Sequence, residues 1–261
     1  MNHYSDIGFE INNQEDEKKF FSLFLDGKGG PGRVWNITED VTYYLFKAGD
    51  IRYALKLDNK SYTILNLSFS HDNKEISEVE YDKLSSVDTS QTFGWDFPTI
   101  EVAKDDIPFW FSCINYDLFK LNPKSKLRIK IASFANSIKI KEPSSVQPID
   151  KEFDPEETRK KAIENINKNG LELADEGYIG YWQDNPCYAM VSGVITNFKL
   201  NENPITKSKY YTIGAKCLGL NFNFLVDPVI VDEKILKVGN VISGEFWNTA
   251  IIVDDLNKEL F

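Results

Sequence analysis

Hydrophobic and polar residues alternate along much of the chain with the two-residue period of β-strands. Between residues 34 and 69, four short segments rich in β-branched and aromatic residues are separated by turn-forming pairs such as Gly49-Asp50 and Asp58-Asn59. Because such pairs favour tight reversals, this pattern predicts a meander of antiparallel strands. Further strand patterns follow over residues 99–103, 107–114 and 127–141.

Two segments carry the start and stop signals of helices. The first covers residues 13–25, with Asn12 or Asn13 as the N-cap and acidic residues in the first turn. The second begins at Asp154, which precedes a proline, and ends at Gly170. Together with the meander, the first helix predicts an α+β fold, in which an N-terminal helix packs on an antiparallel sheet.

A segment rich in proline and serine divides the chain. Residues 142–153 have little periodicity, which is typical of a linker between domains. We therefore expect an α+β domain over residues 1–142, a linker with one helix over 143–182, and a second domain over 183–261.

The C-terminal part contains four or five strand patterns within about 65 residues. Gly193, Gly214 and Gly244 interrupt three of these strands. Glycine inside a strand often marks a bulge or a sharp bend, and such bends allow a short sheet to curl. This predicts a small, partly closed β-barrel of the oligonucleotide/oligosaccharide-binding (OB) type, with a β-sandwich as the alternative.

The same part of the chain is similar to the C-terminal half of a group of uncharacterised bacterial proteins. The similarity is carried by residues 191–195, 217–219, 226–228 and 239–247, together with Asn203 and Thr206. Residues 131–135 resemble the end of the first domain in that group. The resemblance implies a bacterial, cytoplasmic two-domain protein with an OB-like C-terminal barrel. It implies no activity and no catalytic residue.

Composition excludes disorder and membrane-spanning helices as the main state. The chain of 261 residues is 42% hydrophobic and 13% aromatic, with 40 acidic and 30 basic side chains and a net charge of −10. This apolar content is enough for sizeable cores. Because no apolar run approaches about 18 residues and the N-terminus is polar, we expect a cytoplasmic protein with no membrane partner.

The residues that usually perform catalysis are scarce. The two histidines, His3 and His71, lie in no recognisable motif, and the three cysteines lack paired spacing. We interpret the cysteines as buried thiols and predict no metal and no cofactor. The pattern favours a non-enzymatic protein that binds another protein or a small ligand at the domain junction. An enzyme with a carboxylate-based site is an alternative.

One basic segment stands out in this acidic chain. Residues 118–142 carry seven basic side chains and one acidic one. Cations alternate with apolar residues there, which places them on one face of a strand. The cations, which we name the basic stripe, are Lys124, Lys126, Arg128, Lys130, Lys139 and Lys141. The stripe is either an anion-binding surface for single-stranded nucleic acid or another polyanion, or the solvated face of a strand, and the solvated face is favoured.

Aromatic residues give a second set of candidates. Tyr178, Tyr181 and Trp182 lie within six residues that also contain two glycines. No helix or strand period can bury all three rings, which indicates a plug between domains or a surface that contacts a partner. In the later strand pattern over residues 210–217, parity places Tyr210 on the outside, with Thr212 and Lys216. No pattern indicates the oligomeric state.

Overall fold

The structure is a computed structural model that describes residues 5–9, 13–25, 32–36, 38–61, 64–72, 74–85, 97–142, 177–182 and 185–253. These residues form one α-helix, α1 (Gln14–Leu25), and three short 3₁₀ helices. The strands are β1 (Gly32–Asn36), β2 (Val41–Ala48), β3 (Ile51–Asp58), β4 (Ile64–His71), β5 (Ser77–Leu84), β6 (Thr99–Lys104), β7 (Ile107–Cys113), β8 (Lys126–Lys141), β9 (Tyr178–Trp182), β10 (Asn185–Glu202), β11 (Lys209–Cys217), β12 (Leu220–Val226) and β13 (Val241–Ile252).

The first four strands form an antiparallel sheet, sheet A, in the order β1-β2-β3-β4. The predicted turn at Gly49-Asp50 joins β2 to β3, and Gly49 adopts a φ of +59°, which glycine tolerates without steric cost. The side-chain oxygen of Asn13 accepts hydrogen bonds from the backbone N–H groups of Glu15 and Asp16, and so caps α1.

The other nine strands form sheet B, which is mixed. Its centre is a long antiparallel ribbon of β8 and β13. On one stretch of this ribbon, β12, β11 and β10 connect β8 back to β13 and close a ring of five strands. On the next stretch, β5, β6 and β7 close a second ring of five. The two rings therefore share β8 and β13.

The fold-class prediction was wrong. Strands account for 62% of the described residues, which contain one α-helix, so the class is mostly β rather than α+β. The predicted separate OB-like barrel is also corrected, because β8, which lies before the linker, hydrogen-bonds to β12 and β13. Sequence periodicity identifies individual strands but carries no information on pairing between strands more than 80 residues apart.

The predicted domain boundaries have not been tested and remain a prediction. Strands from before residue 142 and after residue 185 nevertheless hydrogen-bond within the same sheet. The helix predicted between Asp154 and Gly170 lies outside the described residues.

Sheet A packs on the outer face of sheet B through an aromatic core. Tyr53 and Phe69 of sheet A share one buried cluster with Phe134 of β8 and Trp247 of β13, and Phe20 of α1 joins the same cluster. Burying such large apolar side chains stabilises each by about 1.5–3 kcal/mol. This packing fixes sheet A over the middle of the β8–β13 ribbon.

The interpretation of the cysteines as buried thiols is confirmed. Cys113, Cys187 and Cys217 are all buried and free. Burial raises the pKa of the Cys113 thiol to about 12, which keeps it protonated and unreactive at neutral pH.

Candidate functional site

The first half of the basic stripe lies on an exposed strand face that also carries acids. Lys126 and Arg128 are exposed, and they alternate with buried residues as the sequence predicts. In the register between β5 and β8, Glu80 lies opposite Lys126 and Glu78 lies opposite Arg128. Opposite charges on facing strand positions attract each other. This part of the stripe is therefore balanced by carboxylates within the same sheet.

A groove of about 470 Å³ lies beside this ladder of charges. Its charged lining has three cations and three carboxylates, Lys104, Lys126, Arg128, Glu78, Glu80 and Asp105. A polyanion that entered the groove would approach these carboxylates as closely as the cations. The lining therefore gives little electrostatic preference for an anion.

Lys124 lies in the turn that precedes β8. It adopts a φ of +68°, and its backbone N–H donates to the carbonyl of Tyr81 at 2.7 Å. The left-handed conformation places this exposed residue at the turn rather than in the alternating part of the strand. Lys124 therefore belongs to the stripe in the sequence but does not lie on the strand face that carries Lys126 and Arg128.

Lys130 belongs to a different environment, which we name the Asp72 cluster. Its ammonium group and the guanidinium of Arg52 both pair with the carboxylate of Asp72. The ammonium of Lys47 lies 3.4 Å from the same carboxylate. The side chain of Arg52 is 6% exposed and that of Asp72 is 21% exposed, so solvent screens these pairs less than it screens surface pairs.

The Asp72 cluster joins the two sheets. Lys47 and Arg52 belong to sheet A, Asp72 directly follows β4, and Lys130 belongs to β8 of sheet B. Burial alone would raise the pKa of Asp72, but the Lys130 hydrogen bond and the charges of Arg52, Lys130 and Lys47 hold it below its usual range. Asp72 thus remains a carboxylate at neutral pH and attracts three cations.

His71 lies beside the Asp72 cluster and is 4% exposed. Its Nε2 atom lies 3.4 Å from the hydroxyl oxygen of Thr212. Burial lowers the pKa of His71 to about 4, although Asp50 and Asp72 act in the opposite direction. His71 is therefore neutral at pH 7 and shielded from solvent, which makes it a poor general acid or base for a substrate in solution.

The stripe does not continue along β8. Ala132 and Phe134, which follow Lys130 on the same face, are fully buried in the cluster that sheet A covers. Lys139 and Lys141 lie beyond this cover, and Lys139 is about 30 Å from Lys130 along an extended strand. The six predicted anion-binding residues thus lie in separate places.

The aromatic candidates are also separated by the alternation of strand faces. The ring of Tyr181 packs edge-on against Trp110 of β7 at 4.7 Å and contacts the core of sheet B. Tyr178 and Trp182, which have the opposite parity on β9, lie on the outer face. The three rings therefore lie on two faces of β9, Tyr181 on the core side and Tyr178 and Trp182 on the outer side.

The outward placement of Tyr210 and Thr212 is corrected. Tyr210 is 2% exposed and Thr212 is 7% exposed. Their face of β11 does point away from the core of sheet B, but sheet A covers this face. The centroid of the Tyr210 side-chain ring lies 6.3 Å from that of the His71 imidazole. The alternation of the strand was predicted correctly, whereas the cover from a distant sheet was not.

The most exposed aromatic ring of these candidates belongs to Trp182, at 49%. Its ring centroid lies 6.1 Å from that of Tyr188 on β10, and the two ring planes are inclined by 37°. At this distance the two rings form a contacting aromatic pair. Together they present an indole and a phenol on the outer face of sheet B.

A carboxylate is fixed beside this pair. The hydroxyl of Tyr188 donates to Oε2 of Glu245 on β13 at 3.2 Å. The side-chain amide of Asn136 on β8 donates to the same oxygen at 3.0 Å. Burial, the charge of Glu245 and the Tyr188–Glu245 hydrogen bond raise the pKa of Tyr188 to about 12, although Asn136 acts in the opposite direction, so the Tyr188 hydroxyl keeps its proton and remains a donor.

A backbone irregularity places Asn136 next to Glu245. The register between β8 and β13 shifts between Glu245 and Phe246, and this bulge leaves Asn136 without a directly opposite residue. Bulges of this kind redirect side chains on a strand. Gly244, which precedes Glu245 on β13, must be a glycine, because a Cβ atom at position 244 would lie 1.9 Å from the carbonyl oxygen of Ser137.

Tyr178 extends this surface along β9. A Cβ atom at position 180 would lie 2.6 Å from the hydroxyl of Tyr178, so Gly180 leaves room for the tyrosine ring to lie across the strand. We name the surface formed by Tyr178, Trp182, Tyr188 and Glu245 the aromatic face.

Three residues of this site were missed by the sequence analysis, namely Tyr188, Glu245 and Asn136. Glu245 is 57 residues from Tyr188 and 109 residues from Asn136 in the chain. Only the pairing of β8, β10 and β13 brings them together. The one sequence signal was Gly244, which marks the bulge but not the carboxylate beside it.

Nowhere in the described ranges do three His, Cys, Asp or Glu side chains converge in a way that could hold a metal ion. Among the helical residues that the structure describes, none belong to a helix with the length and apolar character that a membrane crossing requires. Comparison with protein-family models, with curated proteins and with solved structures gives no match for this chain. The functional interpretation therefore depends on the geometry of the site alone.

Proposed function

We propose that this protein is a non-enzymatic binding protein that recognises another protein through the aromatic face. The observation that carries the proposal is the half-exposed indole of Trp182 in contact with Tyr188, whose hydroxyl donates to a carboxylate that Asn136 also holds in place.

The composition of the aromatic face resembles that of interface centres. Tryptophan and tyrosine are enriched among the residues that dominate the binding energy of protein interfaces. Tyr178, Trp182 and Tyr188 lie on two neighbouring strands of a sheet, and so present a broad, shallow surface rather than an enclosed cavity. A surface of this shape suits a protein partner better than a small molecule, which is usually enclosed by its site.

The charges elsewhere on sheet B support this choice over polyanion binding. The exposed cations Lys126 and Arg128 face Glu80 and Glu78 across the strand pair. Lys130 is engaged by Asp72. The protein as a whole carries a net charge of −10, which repels nucleic acid at long range.

The test compares partner capture by the wild-type protein, by Trp182→Ala and by Phe198→Ala. Phe198 is 40% exposed on β10 and serves as the matched control, because it is an exposed aromatic residue outside the aromatic face. Each protein is immobilised and incubated with extract from the source cells, and the retained proteins are identified by mass spectrometry. Thermal melting of each variant checks that it is folded.

We expect a set of proteins that wild type and Phe198→Ala retain and that Trp182→Ala loses. Identical retention by all three folded proteins would contradict the proposed function.

A further inference from the structure

We infer that the aromatic face binds an arginine side chain of the partner protein. This inference rests on the proposed function and specifies its chemistry. The guanidinium group would lie over the rings of Trp182 and Tyr188 and donate a hydrogen bond to Glu245.

The two oxygens of Glu245 differ in their hydrogen bonds. Both hydrogen bonds to this carboxylate, from Tyr188 and from Asn136, reach Oε2. No donor within the described part of the chain bonds to Oε1. A carboxylate oxygen has two acceptor sites, so the donors among the described residues occupy one oxygen and leave the other for a ligand that donates.

The aromatic rings of Tyr188 and Trp182 supply a second feature of the surface. The hydroxyl of Tyr188 donates to Glu245, and the ring of Tyr188 contacts the ring of Trp182, so Tyr188 connects the carboxylate to the exposed indole. A cation over an aromatic face is attracted by the ring quadrupole, and tryptophan gives the strongest attraction. A ligand that combines a cationic group with hydrogen-bond donors therefore satisfies both features at once.

The shape of the cation separates arginine from lysine. A guanidinium is planar, so it can stack on a ring while its N–H groups point sideways to an acceptor. An ammonium group concentrates its donors and its hydration at one point and cannot stack. The rings beside the carboxylate thus favour the planar cation.

The charges of the protein both favour and oppose the binding of a cation at the aromatic face. The net charge of −10 attracts a basic partner. Lys139 is exposed on β8 and lies opposite Ser243, the neighbour of Glu245 on the same face of β13, so it opposes a cation at short range. We therefore expect that removal of the Lys139 charge strengthens the binding of an arginine ligand.

The experiment measures the binding of a fluorescein-labelled peptide with three arginines separated by serines, and of the same peptide with lysines. Fluorescence anisotropy is recorded against wild type, Trp182→Ala, Glu245→Gln and Lys139→Ala. The matched control is Glu233→Gln, since Glu233 also accepts a hydrogen bond from a tyrosine, Tyr211, at 2.6 Å but lies outside the aromatic face.

We expect the arginine peptide to bind wild type at least about fivefold more tightly than the lysine peptide. A charge-assisted hydrogen bond corresponds to about tenfold or more in affinity, so Glu245→Gln should weaken the arginine peptide by about tenfold. Trp182→Ala should weaken it about fivefold. Lys139→Ala should strengthen it about twofold, and Glu233→Gln should leave it unchanged.

Equal affinity for the two peptides, or full affinity in Glu245→Gln, would overturn the inference. If either of these peptide results is found while partner capture still depends on Trp182, the proposed function stands and the arginine assignment is wrong. If partner capture is independent of Trp182, the proposed function itself falls, whatever the peptides show.

Discussion

Two carboxylates, Asp72 and Glu245, are each held by neighbouring side chains, but their surroundings differ. Asp72 lies between two sheets, and three cations, Lys47, Arg52 and Lys130, approach its two oxygens. Glu245 lies on an outer face, and its two donors are neutral groups that both reach one oxygen. The first carboxylate is saturated by the protein, whereas the second keeps acceptor capacity.

This difference separates a structural role from a role in recognition. When one member of a buried ion pair is removed, the charge of the other member is left uncompensated. A substitution that breaks the Asp72 cluster should therefore destabilise the folded protein. A half-buried carboxylate held by two neutral donors loses little stability when its charge is removed, because no buried cation is left unpaired. We therefore expect substitutions at the two positions to affect different measurements.

The largest expected effect is on stability at Asp72. Asp72→Asn removes the negative charge from among three cations, two of them with side chains that are mostly buried. We expect the free energy of unfolding in urea at pH 7 to fall by about 3 kcal/mol. The control is Asp105→Asn, because Asp105 is 79% exposed and its ion pair with Lys104 spans 3.8 Å. Equal stability of the two variants would mean that the Asp72 cluster has no structural role.

The next effect is on the pH dependence of stability. It reports on how completely water is excluded from His71, beside the Asp72 cluster. His71 has a pKa of about 4 in the folded protein, lowered by burial from the usual 6.5. Between these values the unfolded chain binds a proton that the folded protein does not, so stability falls as the pH drops from 6.5 to 4. The loss should reach about 3 kcal/mol.

This loss can be isolated with His71→Gln. Subtracting the stability of the variant from that of wild type at each pH removes the contributions of groups common to both. Asp72 contributes little in this range, because its pKa is below the usual value and its stabilising charge is lost only at lower pH. A difference that stays constant between pH 6.5 and 4 would show that His71 is hydrated or protonated in the folded protein.

A smaller effect on stability is expected at Glu245. Glu245→Gln keeps a side-chain oxygen that can accept from Tyr188 and Asn136, so the free energy of unfolding should change by no more than about 1 kcal/mol. The measurement is urea denaturation under the conditions used for Asp72→Asn. A loss of about 3 kcal/mol would place Glu245 in the same structural class as Asp72 and remove the contrast between them.

The smallest effect is expected for the exposed part of the basic stripe. Lys126→Ala should change the free energy of unfolding by about 0.5 kcal/mol or less, since exposed ion pairs contribute little. Lys130→Ala, four residues further along β8 and on the same face, should cost more, because the side chain of Lys130 is 18% exposed and pairs with Asp72. Equal effects at the two lysines would show that the stripe behaves as one surface.

Local features of the fold could be predicted from the sequence, and long-range ones could not. The alternation in β8 and the turn at Gly49-Asp50 follow from residue types a few positions apart. The burial of Tyr210 depends on sheet A, whose strands lie more than 100 residues earlier in the chain. The prediction of a separate OB-like barrel failed for the same reason, since it assumed that the segments before and after the linker pair separately. The α+β prediction failed because it gave one helix too much weight beside the thirteen strands of the described residues.

The candidate site shows the same limit. Trp182 was a candidate because its six-residue segment contains too many rings to bury. Glu245 and Asn136 became candidates only when the register of β8 and β13 placed them beside Tyr188. A single acidic residue among 40 carries no signal of its function in the sequence.

The most direct test of the aromatic face is a nuclear magnetic resonance titration that follows the indole N–H signal of Trp182. The signal is assigned by its disappearance in Trp182→Phe, and the arginine peptide is added to wild type and to Glu245→Gln. We predict a concentration-dependent shift of this signal in wild type and a strongly reduced shift in Glu245→Gln. An unmoved Trp182 signal while other tryptophan signals shift, or the same shift in both proteins, would contradict the account.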